Sequence, residues 1–294
     1  MKNRYFIITS HGWSASNWLA YVLNKNPKML VTHSAANLHD KKLENDINSN
    51  IKEFHKGYLN RQLVSIDETY NCIESYGKAE IYGSVHLYRL RDIPYLYTKF
   101  GISKRNFIVI NLIRNPIDLV WSGYGQFKEL FKTDINELFW TLGKVVEDKE
   151  YLYSVADKYN IKLGEYKNLS FIGAARVLGS LKLDFDVVDK VNNIPFIDYY
   201  GEIKMEDITT QRNALLKLVK MISGNDLMEG EKYINEVFSI GKINAHQKNK
   251  KKLSNAEIFN QFTDWQKEVF LYYARKYNII DQYCKWGYDL SFLK

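Results

Sequence analysis

Residues 106–123 read NFIVINLIRNPIDLVWSG, and this stretch decides the fold that the sequence predicts. Its run of about six apolar residues, rich in Ile and Val, is typical of a strand buried on both faces of a parallel sheet. Asn115-Pro116 then ends the strand and begins a helix, since proline fits the first helical turn. Arg114 therefore lies at the end of the strand, with Ser122 about two turns into the helix at about 3.6 residues per turn. Such a pair can bind one phosphate, although a surface arginine beside an ordinary helix serine fits the same pattern.

Residues 5–25, YFIITSHGWSASNWLAYVLNK, repeat this order of an apolar strand, a turn and an amphipathic helix. The turn consists of small residues, from Ser14 to Asn17. Backbone N–H groups at a helix start lack partners and carry the positive end of the helix dipole, so an anionic group can bind there. An ordinary N-cap remains the alternative interpretation of this turn.

The alternation of strands and helices along 294 residues, 46% of them hydrophobic, predicts an α/β fold with three layers, α/β/α, around a central and mostly parallel sheet. The chain contains 4 prolines and no Pro/Gly/Ser-rich linker, so we expect residues 1–294 to form a single domain. Residues 127–191 are mostly helical in pattern and predict a helical cap inserted beside the site, where an acceptor would be selected.

The two strand-turn-helix segments do not match the common nucleoside triphosphate loop, because G-x-x-x-x-G-K-[ST] is absent. In this order they resemble the sulfotransferase family, whose motifs read approximately P-[KR]-S-G-T-T-W-L and R-N-P-x-D-x-x-x-S. Here the corresponding residues are GWSASNWL at 12–19 and RNPIDLVWS at 114–122. The resemblance implies a P-loop-like sulfotransferase architecture.

The resemblance also implies a donor, 3′-phosphoadenosine 5′-phosphosulfate (PAPS), and no metal. The first turn would hold its 5′-phosphosulfate end and Trp18 would stack on adenine, while Arg114 and Ser122 would grip the 3′-phosphate. A basic stretch near the C-terminus would close over that phosphate. The residues implied in donor binding are Trp13, Ser14, Ala15, Ser16, Asn17, Trp18, Arg114, Ser122, Lys248, Asn249 and Lys250.

In many sulfotransferases the catalytic base is a histidine at the end of a strand between these two segments. Residues 79–88, AEIYGSVHLY, predict such a strand and place His86 at the corresponding point. Histidine suits general-base catalysis because its ordinary pKa lies near neutrality. The alternatives that the sequence leaves open are His33, His39, His55 and the carboxylate Glu68.

The chain departs from the family pattern at Trp13, where relatives carry Lys or Arg. That cation stabilises the charge that grows on the leaving phosphate, so Arg89, Arg91 or Lys248 would have to replace it. Ala15 stands where the family has glycine. The missing cation keeps a non-catalytic nucleotide-binding protein open as an alternative, and an ATP-dependent phosphotransferase is a further, disfavoured one.

Two later segments also resemble the family. Residues 202–222 predict a short strand, a turn and an amphipathic helix, with Met205 where a base-contacting tyrosine would stand. A helix is expected over residues 255–277.

The net charge of +7, with a pI near 9.0, suits binding of a polyanionic cofactor, and no nucleic-acid motif accompanies it. The two cysteines predict neither a disulfide framework nor a zinc site. A first strand starting at Tyr5 leaves no room for a secretory signal, and no run of about 18 apolar residues predicts a membrane span. We therefore expect a cytoplasmic sulfotransferase that moves a sulfuryl group from PAPS to a hydroxyl of an acceptor whose identity the sequence does not indicate.

Overall fold

The computed structural model shows an α/β protein built on a five-stranded sheet. Every strand pairing in the sheet is parallel, and the strand order is β2-β3-β1-β4-β5. The strands are β1 (Arg4–Ser10), β2 (Met29–His33), β3 (Ile81–Val85), β4 (Phe107–Ile113) and β5 (Ile197–Lys204). The structure describes residues 3–12, 14–33, 65–133, 148–224, 230–239 and 253–293. The predicted α/β class with a central parallel sheet is confirmed.

The helices divide between two compact units, of which one contains residues 1–113 and 186–248 and the other residues 114–185 and 249–294. The first unit holds α1 (Ser16–Asn24), α2 (Ile66–Ser75), α3 (Asp92–Phe100), α7 (Val188–Asn192), α8 (Met205–Thr210), α9 (Arg212–Ser223) and α10 (Gly230–Ser239). The second unit holds α4 (Pro116–Thr133), α5 (Lys149–Tyr159), α6 (Tyr166–Phe185), α11 (Asn255–Asn260), α12 (Asp264–Lys276), α13 (Ile279–Lys285) and a 3₁₀ turn (Ser291–Leu293). The expectation of a single domain stays a prediction.

The sheet of the first unit is covered on both faces, which gives the three layers that the sequence predicts. Alternate residues of a strand point to opposite faces, so Phe6 and Ile8 of β1 enter one core while Ile7 enters the other. The first core also contains residues of α1, α9 and α10, and the second contains residues of α2, α3 and α7. Burial on both faces explains why β1 and β4 read as continuous apolar runs.

The described residues of the second unit form helices joined by turns, with no strand among them. Phe171 of α6 packs edge-on against Tyr124 of α4 and against Phe262 and Trp265, with ring centroids 5.2–5.4 Å apart. Of the predicted cap, residues 148–191 are largely helical and residues 134–147 lie outside the described part of the chain.

Two sequence-based boundaries need correction. The expected helix over residues 255–277 is two helices, α11 and α12, because Ser254 and Thr263 each start a helix with a capping box. The strand expected over residues 79–88 spans only Ile81–Val85, so His86 follows the strand. Residues 202–222 form the end of β5, α8 and most of α9, broadly as predicted.

The first prediction concerns Gly83 of β3. It lies opposite Phe6 of the neighbouring strand, and a Cβ added there would come within 2.0 Å of the buried Phe6 ring. Because overpacking a core typically costs about 1–3 kcal/mol, we expect Gly83→Ala to lower the free energy of unfolding by at least that amount in urea titrations.

Gly125→Ala is the matched control, since Gly125 is an exposed helix residue with open space around its Cα. Alanine is better than glycine in a helix interior by about 1 kcal/mol, so this variant should gain stability. Equal stability of Gly83→Ala and the wild type would contradict the packing described for β1 and β3.

Candidate anion-binding and active site

The turn between β1 and α1 contains a buried hydroxyl that lacks a partner. Ser14 is 1% exposed, and its Oγ makes no hydrogen bond to any part of the chain that the structure describes. A buried polar atom left unpaired costs about 1–3 kcal/mol, and most such atoms in proteins are paired. The Ser14 hydroxyl therefore indicates a site for a polar ligand.

The backbone around Ser14 suits an anion. Ala15 is the N-cap of α1 and adopts the left-handed conformation, with φ 52°, while no side chain caps the helix. The first N–H groups of a helix have no partners within it and carry about half a positive charge. A left-handed residue next to right-handed ones also turns successive N–H groups toward one point, which favours anion binding.

Ser16, the first residue of α1, connects this turn to a histidine. Its Oγ lies 2.9 Å from Nε2 of His33, the last residue of β2. Both side chains are buried. The structure thus brings one of the predicted turn residues together with one of the alternative bases.

His86 directly follows β3 and takes a left-handed conformation with φ 64°. Its backbone N–H donates to the Ile8 carbonyl at 2.9 Å, which fixes the chain beside the end of β1. Its ring stacks on His33, with centroids 5.4 Å apart and planes 16° from parallel. A strained backbone at such a position is held by the surrounding structure and is common at functional sites.

The Nδ1 atom of His86 lies against Ser10. Nδ1 lies 3.0 Å from the Ser10 carbonyl oxygen and 2.9 Å from the Ser10 hydroxyl. A carbonyl only accepts hydrogen bonds and a guanidinium only donates them, so the Ser10 carbonyl and Arg89 Nη1, 3.1 Å from Nδ1, require opposite roles of Nδ1. In the tautomer that satisfies the Ser10 carbonyl, Nδ1 carries the proton and Nε2 carries the lone pair.

The surroundings also keep His86 neutral. Burial, followed by the charges of Arg89 and His33, holds the pKa of His86 well below its ordinary value of 6.5. Arg89 Nη1 lies 3.1 Å from Nδ1 and also donates to the Ser10 carbonyl. Of the three cations expected to replace the one missing at residue 13, Arg89 contacts His86 and Arg91 directly precedes α3, whereas Lys248 lies outside the described residues.

Four predicted donor-site residues lie outside the described residues: Trp13, Lys248, Asn249 and Lys250. The alternative bases His39 and His55 lie outside them as well.

Two further side chains have structural contacts. Glu68 is exposed and completes the capping box of α2, where its carboxylate accepts from the Ser65 backbone N–H at 2.7 Å. Trp18 is 8% exposed and belongs to the first core, which gives its ring a packing role; stacking on adenine stays a prediction.

Arg114 and Ser122 belong to the second unit. Arg114 comes directly after β4, and its Nη2 lies 3.9 Å from Oδ2 of Asp118, one helical turn further on. Asn115 Oδ1 accepts from the Ile117 backbone N–H at 2.9 Å and so starts α4. Ser122 is half-buried in α4. This ion pair was not expected from sequence, although the i,i+4 spacing is a usable signal.

Ser10 was also missed, because a serine at the end of an apolar strand has no distinguishing pattern. Its carbonyl and hydroxyl both meet the His86 ring. Within the described residues no cluster of three or more His, Cys, Asp or Glu side chains is arranged to hold a metal ion. A membrane-spanning helix is likewise absent from the described ranges, where no helix is both long and apolar enough.

Comparison with solved structures finds a similarity to a sulfotransferase from Alicyclobacillus acidocaldarius. The alignment covers 100% of this chain and 99% of that one, with a TM-score of 0.44 and 10% sequence identity. No family model matches the sequence, and no curated protein matches it.

Ala15 generates the second prediction. The left-handed conformation costs a residue with a Cβ about 1–2 kcal/mol, a cost that glycine avoids. Glycine also loses more entropy on folding, which offsets part of this advantage. We therefore expect Ala15→Gly to raise the free energy of unfolding by up to about 1 kcal/mol. Thermal and urea unfolding measure this change in stability. A decrease in the free energy of unfolding of more than about 1 kcal/mol would contradict the left-handed backbone at this residue.

Proposed function

We propose that this protein is a PAPS-dependent sulfotransferase that transfers the sulfuryl group to a hydroxyl of an acceptor. The observation that carries the proposal is the pairing of two features at the end of β1. One is the buried and unpartnered Ser14 hydroxyl at the start of α1, and the other is a neutral imidazole, His86, held against Ser10. A phosphosulfate needs donors for its oxygens, and its transfer needs a base for the acceptor.

The turn from Ser14 to Asn17 fits the 5′-phosphosulfate end of such a donor. The Ser14 hydroxyl supplies a buried donor, and the uncapped start of α1 supplies N–H groups and the positive end of its dipole. When bound, PAPS supplies an activated sulfuryl group. The other residues of the sequence motif, Trp13 and Trp18, remain part of the proposed donor site.

His86 takes the role of general base. The proposed base atom is Nε2, in the tautomer whose Nδ1–H donates to the Ser10 carbonyl. As the acceptor oxygen forms its bond to sulfur, the bond from sulfur to the bridging phosphate oxygen breaks, and the acceptor proton moves to Nε2. Adenosine 3′,5′-bisphosphate then leaves with the electron pair of the broken bond.

Arg89 takes the role of the cation that residue 13 does not provide. Its guanidinium lies beside the base and next to Ser10, the last residue of β1. A fixed cation near the leaving phosphate favours the charge that develops there, as in phosphoryl transfer. Its charge also lowers the pKa of His86 and so keeps the base unprotonated.

For the 3′-phosphate we propose Arg114 and Ser122, with Lys248, Asn249 and Lys250 closing over it. A guanidinium binds phosphate oxygens through a planar fork, and Asp118 forms an ion pair with that of Arg114 at 3.9 Å. The proposed acceptor is a small molecule with a hydroxyl group, and the proposed location is the cytoplasm, in keeping with the unpaired thiols of Cys72 and Cys284.

A non-catalytic nucleotide-binding protein is the second candidate, and Trp13 in place of a cation is the observation that favours it. Such a protein would bind the nucleotide at the same donor site but would not catalyse sulfuryl transfer. Transfer of labelled sulfate from PAPS to a panel of alcohols, phenols and sugars separates the two functions.

The third prediction tests the donor site by calorimetry with adenosine 3′,5′-bisphosphate and adenosine 5′-monophosphate. Losing a hydrogen bond to a charged group costs about 1.5–3 kcal/mol, so Ser14→Ala should weaken both ligands by about 10-fold or more. Arg114→Ala and Ser122→Ala should weaken only the bisphosphate, since the monophosphate lacks the 3′ group.

Lys167→Ala, a change on the first turn of α6 outside the proposed site, is the control and should leave both affinities unchanged. Wild-type affinity for the bisphosphate in the Ser14, Arg114 and Ser122 variants would remove the donor assignment.

The fourth prediction concerns the base. His86→Gln should lower kcat by about 10²–10⁴, the usual contribution of a general base, and leave bisphosphate affinity nearly unchanged. Because the pKa of His86 lies well below 6.5, the wild-type rate should stay level from pH 8 to about pH 6.5 and fall only in more acidic solution, as Nε2 becomes protonated. Glu68→Gln is the matched control for the carboxylate alternative and should keep full activity; a large loss there would transfer the base role to Glu68.

A further inference from the structure

His33 is held on three sides. It ends β2 in register with Val85, the last residue of β3, and His86 directly follows Val85. Its ring is 7% exposed and stacks on the His86 ring, and its Nε2 lies 2.9 Å from Ser16 Oγ. A buried ring with a stacked neighbour has little rotational freedom, so the contact with Ser16 is fixed in direction.

That contact decides what the Ser16 hydroxyl can do. A serine hydroxyl has one proton to donate and two lone pairs that accept. If Ser16 donates its proton to His33 Nε2, the side facing the turn offers only lone pairs and repels an anion. If Nε2–H donates to Ser16, the hydroxyl proton becomes available to the ligand at the start of α1.

We propose that His33 is a positioning residue, which donates from Nε2 to Ser16 Oγ and thereby directs the Ser16 hydroxyl proton to the anion bound at the turn. The inference rests on the proposed function, because it assigns a role at the same donor site. An anion accepts hydrogen bonds and donates none, so it selects this tautomer of His33. The hydrogen bond from the imidazole to the hydroxyl and the one from the hydroxyl to the anion point the same way, so each polarises the other.

This role differs from that of His86. His86 faces the Ser10 carbonyl through Nδ1 and uses Nε2 for the acceptor proton, whereas His33 uses Nε2 toward the first residue of α1. The stacked pair therefore serves both partners of the reaction, with His33 on the donor side and His86 on the acceptor side.

The fifth prediction is a double-mutant cycle on binding of adenosine 3′,5′-bisphosphate, measured by calorimetry. His33→Phe keeps an aromatic ring for the stack and removes the donor, and it should weaken binding about 10-fold. In the Ser16→Ala background the same change should cost less than about 2-fold, because the hydroxyl that His33 directs is gone. His33→Gln carries an amide N–H at a similar reach and should restore affinity to within about 3-fold of the wild type.

Circular dichroism and thermal unfolding establish that each variant is folded, and His33→Ala replaces His33→Phe if the larger ring does not fit. Wild-type affinity in His33→Phe, or the same 10-fold loss with and without Ser16, would overturn the inference and leave the donor site standing. A wild-type protein that binds neither the bisphosphate nor pyrophosphate would instead overturn the proposed function, and the role of His33 with it.

Discussion

The parallel register of β1, β2 and β3 is the constraint on which the proposed chemistry depends. In a parallel sheet the carboxyl ends of neighbouring strands lie at one edge, and ligands of open α/β sheets bind outside that edge. Here the register pairs His33 with Val85 and Ile8 with Val85, so the residues that end or follow these strands meet. Three separate stretches of chain thereby supply an anion turn, a buried histidine pair and an arginine. A shift of one residue in any strand would turn its side chains to the opposite face and disperse the group.

The Ser10 carbonyl brings the charged and titratable side chains of this group, Arg89 and His86, close together. The Ser10 oxygen accepts from Arg89 and lies 3.0 Å from Nδ1 of His86, so a guanidinium and an imidazole meet at one carbonyl. Two positive charges so close together would repel each other, and burial adds a further penalty on the ionised imidazole. The arginine keeps its charge, since its pKa is far higher, and the histidine stays neutral. The same neighbour that can stabilise a developing negative charge therefore also keeps the base in the form that accepts a proton.

Much of the fold could be predicted from sequence because its signals are local. The apolar runs of β1 and β4, the turn before α1 and Pro116 all act within a few residues, and each lies where the pattern predicts. The break between α11 and α12 was predictable as well, since Thr263 is followed three residues later by Gln266 in a capping-box pattern. The partnership of His33 with Ser16 was not, because it depends on the order in which strands pair. Sequence could identify His33 only as one of several alternative bases.

Two left-handed residues, Ala15 and His86, support the view that this edge of the sheet is a functional site. Neither is glycine, so each conformation costs about 1–2 kcal/mol. The other described non-glycine residues with positive φ, Asn160 and Asn278, lie at helix ends. At Ala15 the conformation directs the first N–H groups of α1 toward one point, and at His86 it turns the ring back onto Ser10 and His33. The buried Ser14 hydroxyl directly precedes Ala15 in the chain and adds a third local cost. Three unfavourable local features within one short edge are explained together if a bound anion satisfies the hydroxyl and the helix start, whereas as independent packing accidents each would require its own compensation.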